Sequence, residues 1–385
     1  MLVGQLGFLR QQGFEIAVIC SSDHALNQFA WQEGVELHTV SMKRELSPLR
    51  DLIRLIQVCW LMFRLKPQIV NAGTPKGGLL GMLAAWLVRT PVRIYTLRGL
   101  RLETTRGWKR WLLYTTEKIA SACSHQVICN SESLRRVYVQ MGIAKPEKTR
   151  VLGAGSGNGV NIERFQFHDG HRQKAEQTRE ELRIPATASI VGFVGRLTRD
   201  KGIEELVDAF IKVSAQDSEI YLLLIGGFES GDAVDRRIVR QVQLHPKIIV
   251  TGLLLEITHY YTLFDLVVLP SYREGFPNVA LEAAAAGLPV VGYQATGTVD
   301  AVRSGVTGEL VPVGSIDLLA AAMQKLICDR ELAKSMGQAG RERARREFAR
   351  EKVWQAWADC YREHLTQCGL LAVEETTEPA QRVAA

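Results

Sequence analysis

The 385-residue sequence has seven cysteines and no Cys-x-x-Cys pair among them, with the thiols standing at 20, 59, 123, 129, 328, 360 and 368. An odd number of scattered thiols, in a chain long enough to bury its own core, excludes a disulfide-stapled scaffold and fits a reducing compartment. Long apolar runs are also scarce. In the front half the longest apolar stretch bounded by charges, Gly77 to Val88, is about half of the roughly 20 residues a membrane-spanning helix needs. Met1 to Arg10 carries no basic segment followed by an apolar core and a small-residue cleavage site. These absences predict a cytosolic protein that meets a membrane peripherally at most.

Hydrophobic residues make up 46% and charged residues 23% of the chain, near the globular averages of about 45–50% and 25%, so disordered and fibrous classes are excluded. At about 100–200 residues per domain the length predicts two domains. The net charge of +6 is unevenly spread. Residues 1–165 hold 22 Lys and Arg against 11 Asp and Glu, and residues 166–385 hold 25 against 30. A basic front half beside an acidic back half predicts two domains with different partners.

Short apolar runs alternate with helical spacing along the whole chain. In the front half, strands are predicted at 14–20, 68–71, 92–97 and 125–129, with helices at 2–12, 48–65, 77–88, 108–120 and from Ser131. In the back half, strands are predicted at 189–194, 220–225, 248–251, 266–269 and 289–292. Helices are predicted there at 201–215, 233–243, 256–263, 277–286, 297–303, 315–327, 330–346 and 350–367. This rhythm is that of parallel sheets covered on both faces, hence an α/β protein with two doubly wound Rossmann-like domains, joined near 153–172. The expected division is 1–165 and 166–349, with helix 350–367 returning to the first domain and 369–385 a tail without fixed structure. A doubly wound domain normally opens with a strand, yet a helix comes first here, so the first strand of the N-terminal domain is expected to be missing. The run Gly153-Ala-Gly-Ser-Gly-Asn-Gly159 has Asn158 where a dinucleotide fingerprint needs glycine, and reads as a hinge.

Ligands of open parallel sheets bind beyond the carboxyl ends of the strands. Val194 ends one strand, and Gly195-Arg-Leu-Thr-Arg-Asp-Lys-Gly202 follows. Arg196 and Lys201 there flank a turn into a helix, a place suited to a diphosphate. Leu269 ends another strand and runs into Pro270-Ser-Tyr-Arg-Glu-Gly-Phe-Pro-Asn-Val-Ala-Leu-Glu282. Glu274 in the loop and Glu282 on the helix can face one crevice without touching, as a pair grasping hydroxyls at two ends of one ligand would.

These residues, with the Glu282-to-Val290 run and Gly297 to Gly308, resemble the retaining nucleotide-sugar glycosyltransferases of the GT-B fold, in the large group 1 type of bacterial polysaccharide and lipid-linked-saccharide transferases. The resemblance implies two Rossmann-like domains facing a central cleft, and a donor that is a nucleotide sugar, with UDP expected. It implies that Arg196 and Lys201 hold the donor diphosphate, that Glu274 contacts the transferred sugar, and that Glu282 binds the ribose hydroxyls. Gly195 and the backbone of Gly275, Phe276, Pro277, Asn278 and Val279 would line the donor site. The sequence contains no Asp-x-Asp triplet, which agrees with a reaction that uses no metal and no cofactor. The front half, through Asn71-Ala-Gly-Thr-Pro-Lys-Gly-Gly78, Tyr95 to Gly99 and Cys129 to Ser133, is similar to transferases that extend undecaprenyl-diphosphate-linked saccharides. That similarity places Thr74 and Lys76 in the cleft, and it departs from the subgroup where a His is replaced by Asn71 or Gly73.

The resemblance therefore implies a metal-independent hexosyl- or N-acetylhexosaminyl-transferase acting with retention in surface-polysaccharide biosynthesis. Its partners would be a nucleotide-sugar donor, a lipid-linked saccharide acceptor and the anionic inner face of the cell membrane, with no nucleic acid. Arg93, Arg98, Arg101, Arg106, Lys109 and Arg110, with Trp108, Trp111 and Tyr114, are the basic and aromatic residues expected to meet that surface. A nucleotide-sugar epimerase and a non-catalytic nucleotide-sugar binder are the competing functions.

Overall fold

The computed structural model describes residues 2–21, 26–42, 47–217 and 219–372. The last thirteen residues of the expected tail lie outside them. Among the described residues the first unit runs α1 (Gln5–Gln11), β1 (Ala17–Cys20), α2 (Leu26–Glu33), β2 (Glu36–Thr39), α3 (Pro48–Leu65), β3 (Ile69–Ala72), α4 (Pro75–Leu87), β4 (Val92–Leu97), α5 (Gly107–Cys123), β5 (Gln126–Cys129), α6 (Glu132–Gln140) and β6 (Thr149–Arg150). The second runs α7 (Asp169–Glu181), β7 (Ser189–Val194), α8 (Ile203–Ser214), β8 (Ile220–Ile225), α9 (Arg236–Leu244), β9 (Ile248–Gly252), β10 (Leu266–Leu269), α10 (Asn278–Ala286), β11 (Val290–Tyr293), α11 (Thr298–Ala301), β12 (Gly308–Val311), α12 (Ile316–Cys328), α13 (Arg330–Glu347) and α14 (Arg350–Gln367).

The second sheet has the order β12-β11-β10-β7-β8-β9, with every pair parallel. The chain winds outward from β7 one way and from β10 the other, so β7 and β10 meet at the topological switch point. Both strands are almost wholly buried, as strands covered on both faces must be.

In the first unit β1 pairs with β2 in one parallel sheet, and β3-β4-β5-β6 form another. Set beside the second unit, β1 and β2 correspond to β8 and β9, and β3 corresponds to β10. The position that β7 holds between β8 and β10 has no counterpart between β1 and β3 among the described residues. The sheet is interrupted where the expected opening strand would lie.

α14 crosses back over the first unit. Trp354 lies 5.7 Å from Phe8 of α1, ring to ring, and Val353, Trp357 and Cys360 share a core with Val92, Ile94 and Ile128. The crossing is held at the expected hinge, where Trp354 Nε1 donates to Asn158 Oδ1 at 2.6 Å and Val160 bridges Ala349.

Three expectations change. Residues 256–263 form only a 3₁₀ turn, Thr258–Thr262. The segment read as linker already contains the start of α7, a helix so polar that only Ala175 and Thr178 are buried. β2, β6 and β12 carry too few apolar residues to stand out in sequence; β12 is the four-residue edge strand Gly-Glu-Leu-Val.

One buried acid sets a pH dependence. Glu117 of α5 accepts hydrogen bonds from the hydroxyls of Tyr95 (2.9 Å) and Tyr138 (3.2 Å) inside the first core, and burial pushes its carboxyl up to about 7 despite both bonds. The folded state thus holds a proton that the unfolded chain releases near 4.5. The stabilisation is full below pH 4.5 and is lost as pH rises through about 7, by about 3 kcal/mol in all. Glu117→Gln should flatten the fall in unfolding temperature between pH 5 and 8; an unchanged slope would contradict this account.

Candidate active site

The loops after β7 and β10 lie side by side at the switch point and are stitched to each other. Tyr272 N donates to Asp200 O at 3.0 Å, and the Arg273 guanidinium donates to Asp200 Oδ2 at 2.9 Å. Gly202 has φ 69°, and a Cβ on it would stand 2.0 Å from the Pro270 carbonyl oxygen, so the close approach of the two loops requires glycine. Across this seam Lys201 Nζ meets Glu274 Oε1 at 2.5 Å, with both side chains less than one-fifth exposed. An ion pair sheltered this far from water attracts much more strongly than one on the surface.

Arg196, at the mouth of the same crevice, is half exposed and pairs with Glu229 at 3.0 Å and with Asp200 at 3.8 Å. Burial pulls its guanidinium down, but the bond it donates to Glu229 and the charges of Asp200, Glu229 and Glu274 outweigh it and hold the group above its ordinary range. Gly195 at the strand end has φ 151° and turns the chain into this loop.

Glu282 lies one helical turn into α10 and accepts from the Tyr261 hydroxyl at 2.6 Å. Burial raises its carboxyl, opposed by that bond and by Arg164. Glu274 and Glu282 hold separate partners, as carboxylates serving two ends of one ligand would. Pro277 is the N-cap residue of α10, one position earlier than the helix itself, so the N–H groups of Asn278 and Val279 open the first turn. The Phe276 ring is structural: it packs 5.1 Å from Phe348 in the second core, leaving its backbone as the part that faces the loop.

The first unit supplies the opposite wall. Thr74 caps α4, accepting from Gly77 N at 3.1 Å, and Lys76 pairs with Asp51 of α3 at 2.7 Å. Neither meets Lys201 or Glu274 in a direct bond. Asn71, where the subgroup's His is absent, donates to the Tyr361 hydroxyl at 2.7 Å and accepts from Thr96 at 2.6 Å. The residue that comes to the second unit is Arg98, partly buried beside Gly73 and Gly157. Its carbonyl oxygen would be 1.8 Å from a Cβ on Gly275, so backbone touches backbone across the cleft.

Bridges that no motif foretold surround this contact. Thr296 Oγ1 bonds Glu103 Oε2 at 2.6 Å, Arg273 Nε donates to Thr104 Oγ1 at 2.9 Å, and Gly297 N donates to Ser133 Oγ at 2.8 Å. Asp300 accepts from Ser133 N and Oγ at the start of α6. The Ser131 cap predicts that helix start, but a partner 167 positions away leaves no local signal. The expected basic cluster is also divided. Arg93 clamps the carbonyls of Cys123 and Thr90 (2.7 and 2.8 Å), Arg98 is partly buried at the cleft, and Arg110 donates to Leu102 O at 2.7 Å. Trp108 and Trp111 stand in solvent.

Comparison with known proteins bears on this geometry. The family "Glycosyl transferase 4-like domain" matches residues 7–155, and "Glycosyl transferases group 1" matches residues 174–343, which include both switch-point loops. Over 367 residues the chain is 35% identical to the capsular polysaccharide biosynthesis glycosyltransferase CapM of Staphylococcus aureus, covering 95% of this chain and 94% of that one. The chain is a group 1 glycosyltransferase. This glycosyltransferase is also 24% identical over 327 residues to an Escherichia coli UDP-Gal:α-D-GlcNAc-diphosphoundecaprenol α-1,3-galactosyltransferase, covering 84% and 83% of the two chains. Its fold superimposes on that of Anabaena HepE, crystallised with UDP and glucose, with a TM-score of 0.78 at 22% identity, covering 94% and 97% of the chains. The glycosyltransferase therefore has the GT-B architecture of two Rossmann-like units, and the family places it among sugar transferases, against the epimerase alternative.

Proposed function

We propose that this glycosyltransferase transfers a sugar from UDP, with retention of configuration, to a polyprenyl-diphosphate-linked saccharide in surface-polysaccharide assembly. The observation that carries the reading is the Lys201–Glu274 pair at the switch point, with Arg196 beside it. A donor diphosphate entering the crevice takes over both cations from their carboxylates. Arg196 and Lys201 then neutralise the charge that grows on the diphosphate as it leaves, which is electrostatic catalysis by groups already in place. Glu274, freed from Lys201, accepts hydrogen bonds from hydroxyls of the transferred sugar. Glu282 accepts from the ribose diol, and the amides from Gly275 to Val279, with Gly195 opposite, complete the donor site. Thr74 and Lys76 approach the donor from the first unit's side of the cleft.

Two relatives support the chemistry: the E. coli enzyme uses UDP-Gal and a diphosphoundecaprenol-linked acceptor, and HepE was crystallised with UDP. We further propose that no metal or cofactor takes part, the two cations serving instead. Turnover should survive EDTA, and its loss with recovery on adding a divalent cation would overturn this. Peripheral association with the inner face of the membrane is supported by the basic front half and by exposed Trp108 and Trp111 beside Arg106 and Lys109. No helix among the described residues is long and apolar enough to cross a membrane.

UDP release from a panel of UDP-sugars, with and without detergent-solubilised lipid-linked saccharide, tests the function. Glu282→Ala should weaken UDP binding by about 10- to 100-fold, the worth of one or two hydrogen bonds to a charged acceptor. Unchanged affinity for UDP in calorimetry would remove Glu282 from the ribose site.

A further inference from the structure

α3 is apolar on two faces. Leu55, Val58, Cys59 and Met62 recur at helical spacing and pack into the first core. On the other side Leu49, Leu52, Ile53, Ile56, Trp60 and Phe63 are between 54% and 80% exposed. At about 100° per residue these six share an arc of about 100°, which is a continuous stripe along the outside of the helix. Scattered exposed apolar residues need no explanation, but a stripe of this length does.

The charges beside the stripe have one sign. Arg64 and Arg50 follow along one edge of it, and the Arg64 guanidinium lies 5.6 Å above the Trp60 ring. The single carboxylate of α3, Asp51, is taken up by Lys76. α3 packs on α4, and α4 on α5, so the same helical layer also carries exposed Trp108 and Trp111 with Arg106 and Lys109.

We propose that α3 lies flat in the interface of an anionic bilayer, its outer stripe sunk to the boundary of headgroups and acyl chains and its guanidinium groups on lipid phosphates. An amphipathic helix with a full apolar face and an arginine rim is built for that plane. A second copy of the chain is a poor occupant, because twofold pairing along the stripe would bring arginine rims together with no carboxylate between them. The inference rests on the reading of the acceptor as lipid-linked, and gives that acceptor a fixed approach: the layer α3–α4–α5 borders the wall where Thr74 and Lys76 stand.

The test is co-sedimentation of the full chain with vesicles of phosphatidylcholine alone and of phosphatidylcholine mixed with phosphatidylglycerol, alongside light scattering without lipid. The wild type should be monomeric and should bind the anionic vesicles. Ile56→Ser/Trp60→Ser/Phe63→Ser should lower that partition at least tenfold, and Arg50→Gln/Arg64→Gln should abolish the preference for phosphatidylglycerol. UDP release with detergent-solubilised acceptor should be the same in all three proteins. Wild-type partition in the triple serine variant would overturn the proposal, as would a wild-type dimer that this variant converts to monomer. Binding that behaves as expected, without UDP release from any donor, would instead overturn the transferase reading and leave the surface standing.

Discussion

Lys201→Ala should lower turnover by on the order of 10² to 10³-fold, the effect of losing one preorganised electrostatic donor from a transition state. Lys201 is mostly sheltered and already lies 2.5 Å from the carboxylate that the sugar is proposed to use. Removing it takes away the cation on the leaving diphosphate and leaves the Glu274 carboxylate without its partner. Some loss of stability is therefore expected as well, because a buried charge left unpaired is costly. Arg196→Ala separates the two effects. Arg196 is 48% exposed, its nearer partner Glu229 reaches solvent, and Asp200 keeps Arg273, so Arg196→Ala should lose turnover to a similar degree with little change in unfolding temperature. Wild-type rates in both variants would remove the diphosphate assignment.

Gly275→Ala should cost about 100-fold in turnover with little effect on stability or on UDP affinity. The added methyl would stand 1.8 Å from the Arg98 carbonyl oxygen and 3.0 Å from Gly99 N, which are backbone atoms of the other unit that cannot rotate away. The backbone of Gly275 itself is not left-handed, so alanine fits its local conformation and each unit should fold. What must give is the approach of the two loops, by roughly 1 Å, and a misplacement of that size costs on the order of 10² in rate when reacting groups come from opposite walls. Saturation kinetics would show a fall in kcat with donor binding kept. A wild-type kcat would mean that the cleft need not close on this contact.

Much of the architecture is legible in the residues, for physical reasons. α3 begins at Pro48 and ends before Lys66, as proline at the first turn and a spaced apolar pattern require. β7, β8 and β10 are unbroken apolar runs between charges. The switch-point loops were readable because a parallel sheet sends its ligand to the ends of those strands. Polarity hid the rest. α7 buries only two side chains, and β12 contains a glycine and a glutamate. Residues 256–263 have helical spacing, yet the segment turns only as 3₁₀ and buries Tyr261 against Phe264 and Glu282. Composition also could not say which arginines face outward: Arg93 reads like Arg106 but satisfies two carbonyls, and Arg98 is partly buried against the glycines of the cleft. The contacts between units, such as Asp300 on Ser133 and Thr296 on Glu103, join positions with no sequence relation.

In the proposed reaction the switch-point cations stabilise the departing diphosphate while the sugar passes to a lipid-linked acceptor. This reaction is tested most directly by measuring UDP release and product configuration together, from a UDP-sugar labelled in the sugar, with and without polyprenyl-diphosphate saccharide. The account predicts release that depends on the acceptor, a labelled lipid product with the donor's anomeric configuration, and loss of both in Lys201→Ala. Acceptor-dependent release that is equally fast in Lys201→Ala, or a product of inverted configuration, would contradict it.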